Sequence, residues 1–180
     1  MKLLNPIGQF VEVDGKNMNV YIEGSGNKTI VFLSGGGTAS PVLDFKSLYS
    51  LLSDTYKIVV VEKFGYGFSD DYPDRNRDID TILDDTRTAL SKTGLKTPYI
   101  LCPHSMSGLE AIYWSQKYPE EVEAIIGLDM AVPQYYSDMR ISTAVLKLNK
   151  MLCKVGIIKL LSDNYIKTLY SNSSLTKEEK

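Results

Sequence analysis

The run Ile58-Val59-Val60-Val61 constrains the fold more than any other segment. Consecutive β-branched residues without polar alternation describe a strand covered on both faces, a property of parallel sheets flanked by helices. The run sits in a predicted strand from Tyr56 to Val61, and similar strands are predicted over Thr29–Leu33, Tyr99–Cys102 and Val122–Leu128. Segments of helical spacing separate them. Phe45, Leu48, Leu51 and Leu52 share one face of a predicted helix around Phe45 to Leu52. Ile79, Ile82, Leu83, Thr86 and Leu90 do the same from Asp78 to Thr93, with Asp78 able to cap the start and Gly94 the end. A third helix is predicted over Gly108–Tyr118, stopped by Pro119. The alternation predicts an α/β sandwich with an open, mostly parallel sheet. Ahead of it, Gln9–Val13 and Met18–Glu23 flank Asp14-Gly15, a dipeptide suited to a tight hairpin. Val122–Leu128 is then the sixth strand.

The pattern changes at Gln134. No strand is predicted beyond it, and Val145, Leu148, Leu152 and Val155 form a helical stripe before Gly156. Two further short helices are expected over Ile157–Leu161 and Tyr165–Tyr170, followed by a polar tail. We therefore expect a core over residues 1–133 and a helical segment over 134–180.

Composition narrows the function. The 180 residues suit one domain with a small appendage. A net charge of −2 lacks the basic excess of a nucleic-acid binder. Two distant Cys make no disulfide framework, and one His with two Cys makes none of the common zinc patterns. Neither a signal peptide nor a membrane span is visible, so a cytoplasmic location is expected.

The segment richest in chemistry is Tyr99-Ile100-Leu101-Cys102-Pro103-His104-Ser105-Met106-Ser107-Gly108. It sets Ser105 between a strand and a helix, among small residues. A nucleophile there stands on a sharp turn, close to helix N-terminal N–H groups that favour developing negative charge. The G-x-S-x-G spacing is imperfect, with Pro103 and Ser107 in the glycine places. Ser105 could equally be a plain helix cap. After the third strand, Ser34-Gly35-Gly36-Gly37 leaves backbone N–H groups unobstructed. Such a run is either a flexible turn or one side of an oxyanion hole, whose donors must lie ~3 Å from the developing charge. It has neither the Lys-Ser/Thr pair nor the spacing of a phosphate loop.

Taken together these residues resemble the α/β-hydrolase family. Ser34-Gly35-Gly36-Gly37 is similar to its H-G-G oxyanion loop, with Ser34 at the usual His. Glu62-Lys63-Phe64-Gly65-Tyr66-Gly67-Phe68-Ser69-Asp70 is similar to D-x-x-G-x-G-x-S-D after the fourth strand. His104-Ser105-Met106-Ser107-Gly108 is similar to the H-S-M-G-G elbow, and Tyr118-Pro119-Glu120-Glu121-Val122 to Y-P-E-x-V ahead of the sixth strand. The resemblance covers about residues 20 to 133, and the segment from Gln134 is similar to the start of a helical cap. It implies Ser105 as nucleophile, Gly36 and Met106 as oxyanion donors, and acyl transfer to water with no metal or organic cofactor. The strings Ser25-x-x-Lys28, Ser162-Asp163-Asn164 and Lys92-Thr93-Gly94 match β-lactamase boxes in scrambled order and are chance matches.

The family's triad runs nucleophile, acid, His, yet the only His here is His104, beside Ser105. Adjacent residues at a strand end point to different sides, so His104 is expected to be buried or bonded in the sheet. Asp129, ending the sixth strand, is either the triad acid or a structural Asp. The expectation is a hydrolase sheet truncated after its sixth strand, with a partial cap, an exposed edge open to association, and weak or no turnover. The substrate would be a small molecule with an apolar part. The rival reading is a non-catalytic module that binds a small ligand or a partner.

Overall fold

The structure is a computed structural model, and it describes residues 5–137 and 142–154. The predicted helices over Ile157–Leu161 and Tyr165–Tyr170, and the tail, lie outside the described residues. Six strands form one mixed sheet: β1 (Gln9–Val13), β2 (Lys16–Glu23), β3 (Thr29–Leu33), β4 (Lys57–Glu62), β5 (Tyr99–Pro103) and β6 (Val122–Ile125), in the order β1-β2-β4-β3-β5-β6. The β1–β2 and β2–β4 pairs are antiparallel, and β3–β4, β3–β5 and β5–β6 are parallel. The open, mostly parallel sheet expected from the sequence is therefore present. β2 begins earlier than expected, because Lys16 already pairs with Val13 across the Asp14-Gly15 turn.

Strand periodicity distributes the core over both faces. Val31, Leu33, Val59, Val61 and Leu101 pack with Leu83, Leu90 and Trp114 on one side. Ile30, Phe32, Ile58 and Val60 pack with Val42, Phe45 and Tyr49 on the other. The run from Ile58 to Val61 is thus divided between two cores.

Helix α3 (Ile79–Lys92) begins where predicted, with the Asp78 carboxylate accepting from the Thr81 N–H at 2.8 Å. Helix α4 (Ser107–Lys117) follows β5, and a 3-10 turn over Pro119–Glu121 leads into β6. The predicted helix over Phe45–Leu52 is instead two single turns, α1 (Pro41–Asp44) and α2 (Lys46–Tyr49). They meet at Phe45, whose buried ring stacks at 5.2 Å on Phe32, and the turn opens to let it reach the sheet. β6 is shorter than expected, although the Ile126 and Leu128 N–H groups still bond to β5 carbonyls.

The chain divides into two compact units, Met1–Val132 and Pro133–Lys180. In the second, α5 (Pro133–Ser137) and α6 (Thr143–Lys154) are described. Among the described residues no helix is long and apolar enough to cross a membrane.

Candidate active site

β3 and β5 are neighbours, so the loops after them leave the sheet together. Between Pro103 and Ser107 the chain turns from strand to helix within three residues. Ser105 takes the turn with φ +54°, in the left-handed region, which costs a side-chain-bearing residue about 1–2 kcal/mol. Hydrogen bonds hold it there. The Ser105 carbonyl accepts from the N–H groups of Gly108 (3.0 Å) and Ala131 (2.8 Å), and its own N–H points to the Leu128 carbonyl at 3.4 Å. The side chain is half-buried.

Ser107 explains one imperfection of the elbow. Its buried hydroxyl donates to the Leu33 carbonyl at 2.6 Å and accepts from the His104 N–H at 3.0 Å. It ties the end of β5 to the end of β3, which a glycine could not do. Gly108 meets its steric requirement: a Cβ there would lie 2.2 Å from the Ala131 carbonyl oxygen.

The His104 expectation holds for the backbone and fails for the ring. Its N–H bonds to the Leu33 carbonyl at 2.9 Å and its backbone bridges Leu128. The imidazole is exposed and meets Phe45 edge-on at 6.3 Å. The strand has already begun to turn here, which swings the ring out of the sheet's packing.

Opposite Ser105 lies the loop after β3. A Cβ on Gly35 would stand 2.8 Å from the Ser105 Cβ and 3.0 Å from the His104 carbonyl oxygen, so only glycine allows this approach. Gly36, the predicted donor, is exposed and faces the Met106 sulfur. Among the described residues neither the Gly36 N–H nor the Met106 N–H has a hydrogen-bond acceptor. The next amide, Gly37, donates to the Tyr66 hydroxyl at 3.1 Å. The structure thus brings Ser105, Gly35, Gly36 and Met106 to one place.

The loop after β4 braces the site from below. The fully buried Glu62 carboxylate accepts from the N–H groups of Phe68 (2.7 Å) and Val42 (3.4 Å) and from the Asn19 amide (3.0 Å). Burial pushes its pKa above the usual carboxylate value, and these bonds only partly oppose the rise. Gly67, at φ +52°, approaches so closely that a Cβ would lie 2.1 Å from the carboxylate. Of the loop's aromatics, Phe64 is buried against Tyr72, whereas Tyr66 lines a cavity of about 250 Å³. Gly36, Met106, Ile79, Leu109, Lys63 and Glu110 also line it, and Ser105 does not. A larger hollow of about 520 Å³ lies by Tyr99, at the opposite end of β5 from Ser105, and holds the Arg87–Glu121 pair.

Asp129 is exposed, with φ +47°. Because His104 bridges Leu128, Ser105 and Asp129 are the next residues out of adjacent strands. Sequence reasoning missed the Ser107 bridge and the buried Lys63–Glu110 ion pair. The hydroxyl at Ser107 was a legible signal, whereas nothing local linked Lys63 to Glu110.

A serine on a strand-to-helix elbow, facing a glycine-rich loop on a mostly parallel sheet, is the arrangement of the hydrolase class of α/β proteins. The sequence profile of the alpha/beta hydrolase fold matches residues 28–144, and the chain belongs to that family. It is 49% identical to YbdG of Bacillus subtilis (strain 168) over 182 residues, which is 99% of this chain and 56% of YbdG. Among solved structures it is similar to Cfl2 of Burkholderia cenocepacia, with a TM-score of 0.65 and 25% identity over 75% of this chain and 46% of that one. It is also similar to the esterase EaEST of Exiguobacterium antarcticum, with a TM-score of 0.60 and 28% identity over 71% of this chain and 47% of that one. The chain therefore spans about half the length of these relatives.

Proposed function

We propose that the site is built for hydrolysis of a carbonyl ester or amide through an acyl-enzyme on Ser105. The carrying observation is the left-handed Ser105 held against Gly35, with the Gly36 and Met106 N–H groups left without acceptors. Unpaired donors beside a half-buried hydroxyl suit the oxyanion of a tetrahedral intermediate. Ser105 Oγ attacks the carbonyl carbon, the two amides take the negative charge, the alcohol or amine leaves, and water releases the acyl group. Asp129, one residue beyond the Leu128 bridge, is the acid candidate, and an apolar acyl or alcohol part suits the substrate.

Among the described residues no base accepts a hydrogen bond from the Ser105 hydroxyl. The only His precedes Ser105 and carries its ring toward Phe45. We therefore expect this 180-residue chain to turn over esters weakly, at about the 10³–10⁴-fold over water that binding and an oxyanion hole alone provide. The same observation favours a second reading, a hydrolase-like module that binds a small ligand without cleaving it. A fluorophosphonate probe separates them. Labelling that Ser105→Ala abolishes supports the hydrolase, and ligand binding without labelling supports the module.

A further inference from the structure

Lys63 is a buried cation that the proposed chemistry does not use. Its Nζ donates to the Ser34 carbonyl at 3.0 Å and pairs with Glu110 Oε2 at 2.6 Å, and both side chains are almost fully enclosed. Glu110 is held in turn by the Thr86 hydroxyl, which donates to its Oε1 at 3.1 Å. A buried pair contributes little net stability over apolar replacements, so its presence asks for another reason.

The partners supply that reason. Ser34 opens the loop that carries Gly36. Glu110 lies four residues after Met106, one turn further along α4 and on the same face. Lys63 therefore bonds to both segments that carry the proposed oxyanion donors, two residues before Gly36 and four after Met106. The peptide unit is planar, so fixing the Ser34 carbonyl fixes the plane in which the chain enters Gly35. On the far side the Gly37 N–H is fixed by Tyr66. The Gly36 amide sits between two anchored peptides, and both anchors come from the loop after β4. Glycine has no side chain to resist rotation, so without the anchors this amide is free to turn away.

We propose that Lys63, with Glu110 as its counterion, is a positioning residue that sets the spacing between the Gly36 and Met106 N–H donors. The inference rests on the hydrolase reading of Ser105. Its test uses the full 180-residue chain, with phenylboronic acid as the probe, because boron becomes tetrahedral and anionic when a serine adds to it. Boron NMR follows adduct formation, and backbone nitrogen relaxation follows the mobility of the Gly36 and Met106 amides. Lys63→Met/Glu110→Leu removes both charges without orphaning either. It is expected to fold cooperatively, to bind the boronate about 10–100-fold more weakly, the range between one weakened and one lost oxyanion donor, and to show greater mobility at both amides. Lys63→Arg, which keeps a donor to Ser34, is expected to stay close to the parent. A double variant with parental affinity and parental relaxation overturns the proposal. If the parent itself forms no adduct that Ser105→Ala removes, the hydrolase reading fails, and relaxation at Gly36 and Met106 alone decides whether Lys63 positions them. Should the double variant not fold, Glu110→Gln removes the ion pair that ties Lys63 to α4, and unchanged affinity and relaxation there overturn the proposal equally.

Discussion

The loops after β3 and β4 leave neighbouring parallel strands side by side, and they are built on opposite rules. Around Glu62 nearly all polar groups find partners, the buried Asn19 Oδ1 being the exception among the described residues. The carboxylate takes three donors, the Ser69 hydroxyl donates to the Glu62 carbonyl at 2.6 Å, and Asn17 and Asp70 are cross-bonded. Around Gly36 donors are left open: two amides lack acceptors, and the buried Ser34 hydroxyl also has no partner among the described residues. An unpaired buried hydroxyl costs free energy, so a chain keeps one where something other than stability is selected, and the two exposed amides beside it stay open to a ligand. One loop is scaffold, and the other is held open by it.

Substitutions that separate the two loops test this contrast. Glu62→Ala removes three charge-assisted bonds at once and should cost about 4 kcal/mol of unfolding free energy in urea; a loss below about 1 kcal/mol would mean that the second loop is not the scaffold. Gly35→Ala should show the reverse signature. Its methyl forces the loop away from Ser105, so fluorophosphonate labelling should slow about 100-fold while stability falls by only ~1 kcal/mol. Equal labelling rates would break the link between Gly35 and the site. Ser107→Ala, which unties β5 from β3, should cost about 1.5 kcal/mol and slow labelling less than Gly35→Ala does.

The smallest effect is in pH dependence. Glu62 is held above its usual pKa by burial. Its contribution to stability is therefore full below the ordinary carboxylate value and declines as pH rises through the folded one. Glu121 is the opposite case, held low chiefly by its hydrogen bond from Arg87. Its contribution is full above the ordinary value and is lost as pH falls through the folded one. Urea midpoints of Glu62→Gln and Glu121→Gln, each referred to the parent, should drift in opposite directions with pH. A common direction would contradict both assignments.

Much of this was legible in the sequence. β3 runs over the predicted residues because Thr29–Leu33 is apolar on both faces and bounded by Lys28 and Ser34. The elbow was legible because strand, small residue and helix follow one another locally. Phe45 was misread because helical spacing cannot show that one ring must leave the helix to fill the sheet's core. The Lys63–Glu110 pair was invisible for a related reason: its two residues sit in different motifs, and only the sheet order brings them together. The exposed His104 ring shows the same limit, since its direction depends on where the strand stops twisting and starts to turn.

One detail of the elbow reaches further than its own loop. Ser105 is pinned by Leu128 and Ala131, which belong to the exit from β6, an edge strand of the sheet among the described residues. The serine's poise is thus fastened from the rim rather than the centre. Mild denaturant that frays this edge is expected to loosen the Ser105 turn before the core melts. Probe reactivity at Ser105 should then act as a fraying gauge for the border of the sheet.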